Sequence, residues 1–442
     1  MKIKFIAAAV AAIAAQSAFA LTPAQTQQVQ IDFQNGVAGN HVVYLSGASA
    51  LAKSVPGALA KLCSDTVTVF NSTDSNVKAY SCTVGGAVPV AGMNAGDKLL
   101  VGLSVSEGSF SAVLSQNASN FGYDIGAGTK QVQNNQINFS NLTVNGSGQY
   151  TTLFRKQTAG GFLDVEPRLF DDLIGNPALS ALSVDYGTTP VAAAQAFGVA
   201  VSPALYAALQ DAQGLIAGGC AAGDYSVDCQ PSISKAQYAS IVANTNAGYI
   251  ADWSVLGLAD AQPVNLCRRV ATSGTQAASN AFFLGKGCSV AAFEPTAASD
   301  SNPGVFNIVE NSGSSNVATC LSNASNFAIG VISAENAAAS TTWKFVKLDG
   351  VALWDGVKAR QNAIDQKYAF AFEFVTATRN SASAAEQGLI AALGTAIADP
   401  AVTDLTGIMI APGAAGINAD APTKIAKGTT GGNSCAPSLY YY

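Results

Sequence analysis

Short apolar runs, each followed by a Gly- or Ser-rich turn and then by a segment of helical period, recur along this chain. That alternation restricts the fold more than any other feature. Residues 41–45 (HVVYL) read as a buried-type strand, and after the turn at Ser46 and Gly47, Leu51, Val55, Leu59 and Leu62 fall on one helical face. Pro56 fits the first turn of that helix, with Ser54 as its cap. The same order returns at 196–210 and 304–323, a turn opening a helix stands at 267–285, further strands are expected at 67–70, 98–105, 327–336, 343–350 and 367–377, and a helix at 383–400 is stopped by Pro400. Strands joined through helices build an α/β plan with mixed or parallel sheets. In such sheets ligands collect at the strand ends where the glycine turns lie. Three stretches fit the pattern less well. Residues 21–38 are polar and Gln-rich and read as a loose lead-in; 160–175 read as a turn, an acid and a helix from Pro167; 233–253 read as one amphipathic helix ending in an aromatic turn.

One of these turns carries chemistry of its own. Residues 267–285 (CRRVATSGTQAASNAFFLG) set two arginines ahead of Ser273, Gly274 and Thr275, where a helical period begins. Ser273 or Thr275 can cap that helix, and Gly274 lets the backbone approach a ligand. A helix start offers unpaired N–H groups and about half a positive charge, which suits an anion. An arginine just upstream adds a planar fork for an oxyanion. The bland alternative is an ordinary capped helix beside two surface arginines.

The address of the chain is legible at its start. Residues 1–20 join a basic start to an apolar stretch ending in Ala-Phe-Ala, the pattern of a secretory signal peptide cleaved after Ala20. A periplasmic or secreted protein is therefore expected. No later apolar stretch reaches the ~18 residues of a membrane span. The rest of the 442 residues is too long for one ordinary domain and predicts two lobes. A net charge of -6, with only 11% charged residues, argues against a nucleic-acid partner. The eight cysteines of an exported chain predict disulfides. Nearness in sequence suggests Cys63–Cys82, Cys220–Cys229 and Cys267–Cys288, leaving Cys320–Cys435 to tie the tail back, although order along the chain does not force these pairs. No CxxC occurs and His41 is the only histidine, so neither a metal site nor a cofactor is expected. Residues 115–158, rich in Asn, Gly and Ser, read as an inserted surface excursion.

Taken in order, several turns resemble one family. Residues 45–51 (LSGASAL), 163–167 (LDVEP), 249–253 (YIADW), 268–275 (RRVATSGT) and 327–336 (FAIGVISAEN) are similar to successive motifs of the phosphate-binding periplasmic component of ABC transporters. The resemblance implies a two-lobed substrate-binding protein, each lobe a mixed sheet flanked by helices, with a hinge between them. Lobe I would take residues 21–195 and 337–442, and lobe II residues 196–336. It implies Arg269 as the guanidinium clamp, with Ser273, Gly274 and Thr275 donating at the helix start. Asp164 would accept the proton of a monohydrogen anion; from the residues alone it reads equally as a helix cap. Ser109, or Ser106, would match a second-loop serine, and Ala50 or Leu51 stands where the family has a threonine. It further implies a monomer that serves an ABC-transporter permease. The chain departs from the family at Ala271, Leu163 and Ala50, where polar contacts are missing. Each lost hydrogen bond to a charged group costs ~1.5–3 kcal/mol, so weaker phosphate affinity is expected, and the ligand is phosphate, a larger phosphorylated molecule, another oxyanion or a glycan. The competing functions are a secreted surface or adhesion protein that keeps the fold with an altered site, and an enzyme. One histidine and no G-x-S-x-G leave the enzyme without obvious groups.

Overall fold

The computed structural model describes residues 20–72, 76–105, 108–113, 149–150, 158–170, 186–244, 252–259, 262–323, 325–336, 342–353, 360–402, 407–411 and 425–440. The leader expected at 1–20, Ala20 apart, lies outside them, as does nearly all of the excursion at 115–158. The molecule is mixed α/β, with helices flanking a large mixed sheet that has thirteen strands among the described residues. Across the sheet the order is Phe306–Asn311, Val264–Arg269, Ala328–Ser333, Tyr186–Val201, Ala371–Arg379, Gly160–Leu163, Asn40–Gly47, Lys98–Ser104, Val77–Thr83, Thr68–Ser72 and Gln149–Tyr150. Asn40–Gly47 runs parallel to both its neighbours, and so does Val264–Arg269. These are the strands that end in the glycine turns.

Tyr186–Val201, 16 residues long, joins the two parallel regions. Along most of its length it pairs antiparallel with Ala371–Arg379, and its end pairs antiparallel with Ala328–Ser333. Two apolar cores lie along the sheet. One gathers Leu45, Leu51, Leu59, Leu62, Phe162 and Leu393; the other gathers Phe197, Leu205, Tyr206, Leu266, Ile329 and Phe370. The long strand passes from the first core at Val191 and Ala193 into the second at Ala194, Ala196 and Phe197. The second core also takes in Trp343, Phe345 and Tyr368, as well as Phe110 and Leu163.

Local signals explain most of the helices. Ser383 accepts from the Glu386 amide while the Glu386 carboxylate accepts from the Ser383 amide, a capping box that starts Ala384–Ile397. The helix Val55–Leu62 buries Val55, Ala58, Leu59 and Leu62, the face expected from their spacing. Ser54 stands at its N-cap position, but its hydroxyl is buried and makes no hydrogen bond, so it is not the expected side-chain cap.

Other expectations need correction. The lead-in is not loose: Pro23–Gln34 is a helix, opened by a capping box between Thr22 and Gln25 and held by the bond of Thr26 Oγ1 to Ser81 Oγ at 2.7 Å. Its buried side chains are Thr26, Val29 and Gln30, so a hydrophobic period could not reveal it. The segment read as a turn at 160 is the strand Gly160–Leu163. Its glycines are required by close approach: a Cβ on Gly161 would lie 1.8 Å from the Ser46 carbonyl oxygen, and one on Gly160 2.0 Å from that of Ala377. After it, among the described residues, comes a 3-10 turn, Pro167–Phe170, and the rest of the helix expected from Pro167 lies outside them. The helix expected over 233–253 ends early, as Lys235–Val242.

The disulfides are Cys63–Cys82, Cys220–Cys229, Cys267–Cys320 and Cys288–Cys435. The expected Cys267–Cys288 and Cys320–Cys435 pairs are wrong. Cys267 lies within a sheet strand, and the helix Ser314–Leu321 packs over that strand and brings Cys320 to a Cα distance of 6.0 Å. Cys288 follows the left-handed turn at Gly285, where the C-terminal segment passes. In a sheet built from distant segments, spatial neighbours are not sequence neighbours. Peptide mapping of a non-reduced digest is expected to yield Cys267 linked to Cys320 and Cys288 linked to Cys435. A Cys267–Cys288 peptide as the main species would refute this topology. Removing Cys288–Cys435, which closes a separation of 147 residues, is expected to lower stability by about 2–5 kcal/mol, read from denaturant unfolding.

Candidate functional site

The site begins with alternation along a strand. Val264–Arg269 is buried between two parallel partners, and successive side chains leave opposite faces, so Arg268 and Arg269 part company. Arg268 Nε donates to the Arg269 carbonyl and lies 3.9 Å from Glu310 Oε2. Arg269 is 3% exposed. Its Nη1 donates to Ser314 Oγ at 3.1 Å and its Nη2 to the Ser312 carbonyl at 2.9 Å, while Nε is buried without a partner. The guanidinium is thus pinned to the turn before the helix Ser314–Leu321. That helix starts at Gly313, which has no side chain to cap it. Burial pulls the Arg269 pKa down, and the negative charges of Asp164 and Glu335 oppose that shift.

The segment 273–275 opens the short helix Gly274–Ser279, continued by a π turn over Asn280–Leu284. Ser273 occupies the N-cap position in extended conformation, but its hydroxyl makes no capping bond. Gly274 lies against two other predicted residues. A Cβ on it would stand 2.6 Å from Asp164 Cβ and Oδ2, and 2.7 Å from Ser109 Oγ. The Asp164 amide donates to Ser109 Oγ at 2.7 Å, and the Phe110 amide donates to the Thr272 carbonyl at 3.0 Å. Ser109, Asp164 and Gly274 therefore meet in one place, with Ser273 and Thr275 buried beside it. The contact is tight, and no ligand fits between Gly274 and Asp164. Ser106 lies outside the described residues.

Asp164 does not cap a helix. Its Oδ1 is buried with no hydrogen-bond partner. Burial pushes its pKa up to about 7; the charge of Glu335 pushes the same way and that of Arg269 opposes. Ala50 is buried in the first core, and its chain neighbour Ser49 reaches the cleft instead.

The open space lies on the Arg269 side. A cavity of about 230 Å³ is lined by Ser49, Lys53 and Lys78 from the first half, by Arg269, Gly313 and Ser314 from the second, and by Glu335. Lys53 donates to the Glu335 carbonyl at 3.3 Å. The Glu335 carboxylate accepts from Ser333 Oγ and Asn336 Nδ2 at Oε1, while Oε2 is buried and unpartnered. Lys53, Lys78, Ser314 and Glu335 escaped the sequence reading. The polar turn opening a helix at 304–323 matches that at 267–285, and this was the available signal for Ser314. Nothing local marked the lysines, which come from separate segments.

No protein-family model matches this chain, and no curated protein matches it. Among solved structures it is similar to one assigned as a phosphate ABC transporter substrate-binding protein, with bound phosphate, from Clostridium perfringens. The two share 13% identity with a TM-score of 0.40, over 82% of this chain and 96% of that one. It is also similar to an ABC-type phosphate transport receptor from Vibrio cholerae, at 13% identity and a TM-score of 0.35, over 80% of this chain and 93% of that one.

Proposed function

We propose that this is an exported, monomeric solute-binding protein that grips a phosphate or another oxyanion between two lobes and performs no chemistry on it. The observation that carries this reading is the cavity of about 230 Å³ lined from both halves of the sheet by Arg269, Lys53 and Lys78. Three cations around one hollow favour an anion, and field lines focused in a cleft raise its local concentration. Ligand contacts with both sides favour a closed form over an open one. The division into residues 21–195 with 337–442 and residues 196–336 puts the hinge near Phe197–Ser202 and again near Gly330–Asn336, at the ends of the strands Tyr186–Val201 and Ala328–Ser333. These two strands lie side by side in register from Ile329 opposite Val201 to Ser333 opposite Phe197. Asp164, Ser109, Gly274, Ser273 and Thr275 would form the floor of the closed cleft, and Arg269 its clamp. Delivery to an ABC-transporter permease in the periplasm fits this reading.

Isothermal titration with inorganic phosphate, sulfate and phosphate esters tests it. At least one oxyanion is expected to bind to the wild type, and Arg269→Ala to abolish the heat. The absence of heat with every anion would sink the proposal.

A second reading is favoured by the closed contact of Gly274 with Asp164 and Ser109, together with the non-polar Ala50, Leu163 and Ala271. It is a secreted surface or adhesion protein with an altered site. Fractionation separates the two: solute binding for transport requires the periplasm, and adhesion requires the cell surface or medium.

A further inference from the structure

We infer that the Cys288–Cys435 disulfide is a redox-sensitive latch that limits how far the two lobes open. This rests on the two-lobed reading above and adds a means of regulating it. Place is the first argument. Cys288 belongs to residues 196–336 and Cys435 to residues 337–442, so this bond crosses from one proposed lobe to the other. The other three disulfides each lie within a single lobe. Tautness is the second. The segment that carries Cys435 is fastened to its own lobe. The buried Glu373 carboxylate, on the strand Ala371–Arg379, accepts from Thr429 Oγ1 and from the amides of Thr430 and Gly432. Glu166 Oε2 accepts from the Ser434 amide at 2.9 Å, and Arg168 Nη2 donates to Asn433 Oδ1. On the other side, Cys288 follows a turn through Gly285 and Gly287, both at positive φ, just after the helical run that Gly274 opens. A Cβ on Gly287 would stand 2.9 Å from Leu169 Cα, so this turn rests on the opposite lobe. Opening at the contact of Gly274 with Asp164 pulls on this junction, and the sulfur bridge stops the movement.

Exposure is the third argument and makes the latch sensitive to reductant. Among the described residues, which include all eight cysteines, only Cys288 is exposed, and Cys435 is half-buried. Each of the other three disulfides has at least one buried cysteine. Access governs the rate of thiol–disulfide exchange, so a dithiol reaches Cys288–Cys435 first. One of its thiolates attacks Cys288 Sγ, the bond between the two sulfurs breaks, and the electron pair stays on Cys435 Sγ, which takes up a proton. The second thiolate attacks the mixed disulfide and releases Cys288, which is protonated in turn. The dithiol leaves as a disulfide, having given two electrons and two protons to the protein.

Small-angle scattering and titration with inorganic phosphate test this on three forms of the full-length protein. These are the oxidised wild type, the wild type after brief dithiothreitol treatment, and the double variant Cys288→Ser with Cys435→Ser. Alkylation and peptide mapping of the treated wild type are expected to find Cys288 and Cys435 labelled first, with the other six cysteines still paired. Both forms that lack the bond are expected to have a larger radius of gyration without ligand. Phosphate is expected to bind them about 5-fold or more weakly, because the closed form loses population. An unchanged radius of gyration, an unchanged phosphate affinity or first labelling of another pair would overturn the latch. If Gly274→Ala still enlarges the oxidised protein in that case, the two lobes stand without a latch; if it does not, the division into lobes falls too. Failure of phosphate to bind any form counts against the anion reading alone, and scattering then decides the latch. The treated wild type gives the answer even if the serine variant does not fold.

Discussion

Gly274→Ala is expected to hold the two halves of the molecule apart while leaving each folded. Gly274 begins a helix in ordinary backbone conformation, so alanine brings no backbone strain there. The added methyl would stand 2.6 Å from Asp164 Cβ, which is part of a strand end rather than the tip of a flexible chain. Overpacking within a rigid core costs ~1–3 kcal/mol. If the proposed division into two lobes holds, opening at this contact relieves the clash instead. The expected result is a melting temperature lowered by only a few degrees, a larger radius of gyration by small-angle scattering, and anion affinity reduced about 100-fold or more. A large drop in melting temperature with unchanged scattering would mean that the Gly274 contact belongs to a single rigid core, and the hinge would be lost with it.

Asp164→Asn is expected to flatten the pH dependence of stability. The carboxyl titrates near 7 in the folded chain and near 3.8 in the unfolded one. Between those values the folded state holds a proton that the unfolded state has lost, so this group's contribution falls as the pH rises from 4 to 7. Three units correspond to about 4 kcal/mol. At pH 8 the asparagine variant is expected to be more stable than the wild type by up to about 4 kcal/mol, with the gap closing toward pH 4. Urea unfolding at pH 5 and pH 8 checks this. Equal pH slopes for the two proteins would show that Asp164 is not held protonated by burial. Since Glu335 raises this pKa and Arg269 lowers it, the slope also reports on the charges bordering the cleft.

Much of the architecture is legible in the order of residues. The strands at Asn40–Gly47, Lys98–Ser104 and Ala371–Arg379 follow from short apolar runs, and Ala384–Ile397 from its period and capping box, whereas Val264–Arg269 has no such run. The helix Pro23–Gln34 escapes such a reading because its buried face is made of Thr26, Val29 and Gln30. The strand Gly160–Leu163 escapes it because two glycines signal a turn when seen alone. They are glycines because the neighbouring backbones of Ser46 and Ala377 leave no room for a side chain. That cause lies outside the segment and cannot be read within it.

The chain's own order of residues determined the α/β alternation, the arginine ahead of Ser273, Gly274 and Thr275, and the presence of eight cysteines. Those features are local: periodicity, caps and composition act over a few residues. Tertiary structure alone decided which cysteines pair, that Ser109 and Asp164 press on Gly274, and that the open space lies between Arg269, Lys78 and Glu335. Each of these joins segments far apart in sequence, and a sheet whose neighbouring strands come from distant stretches sets such meetings through its strand order.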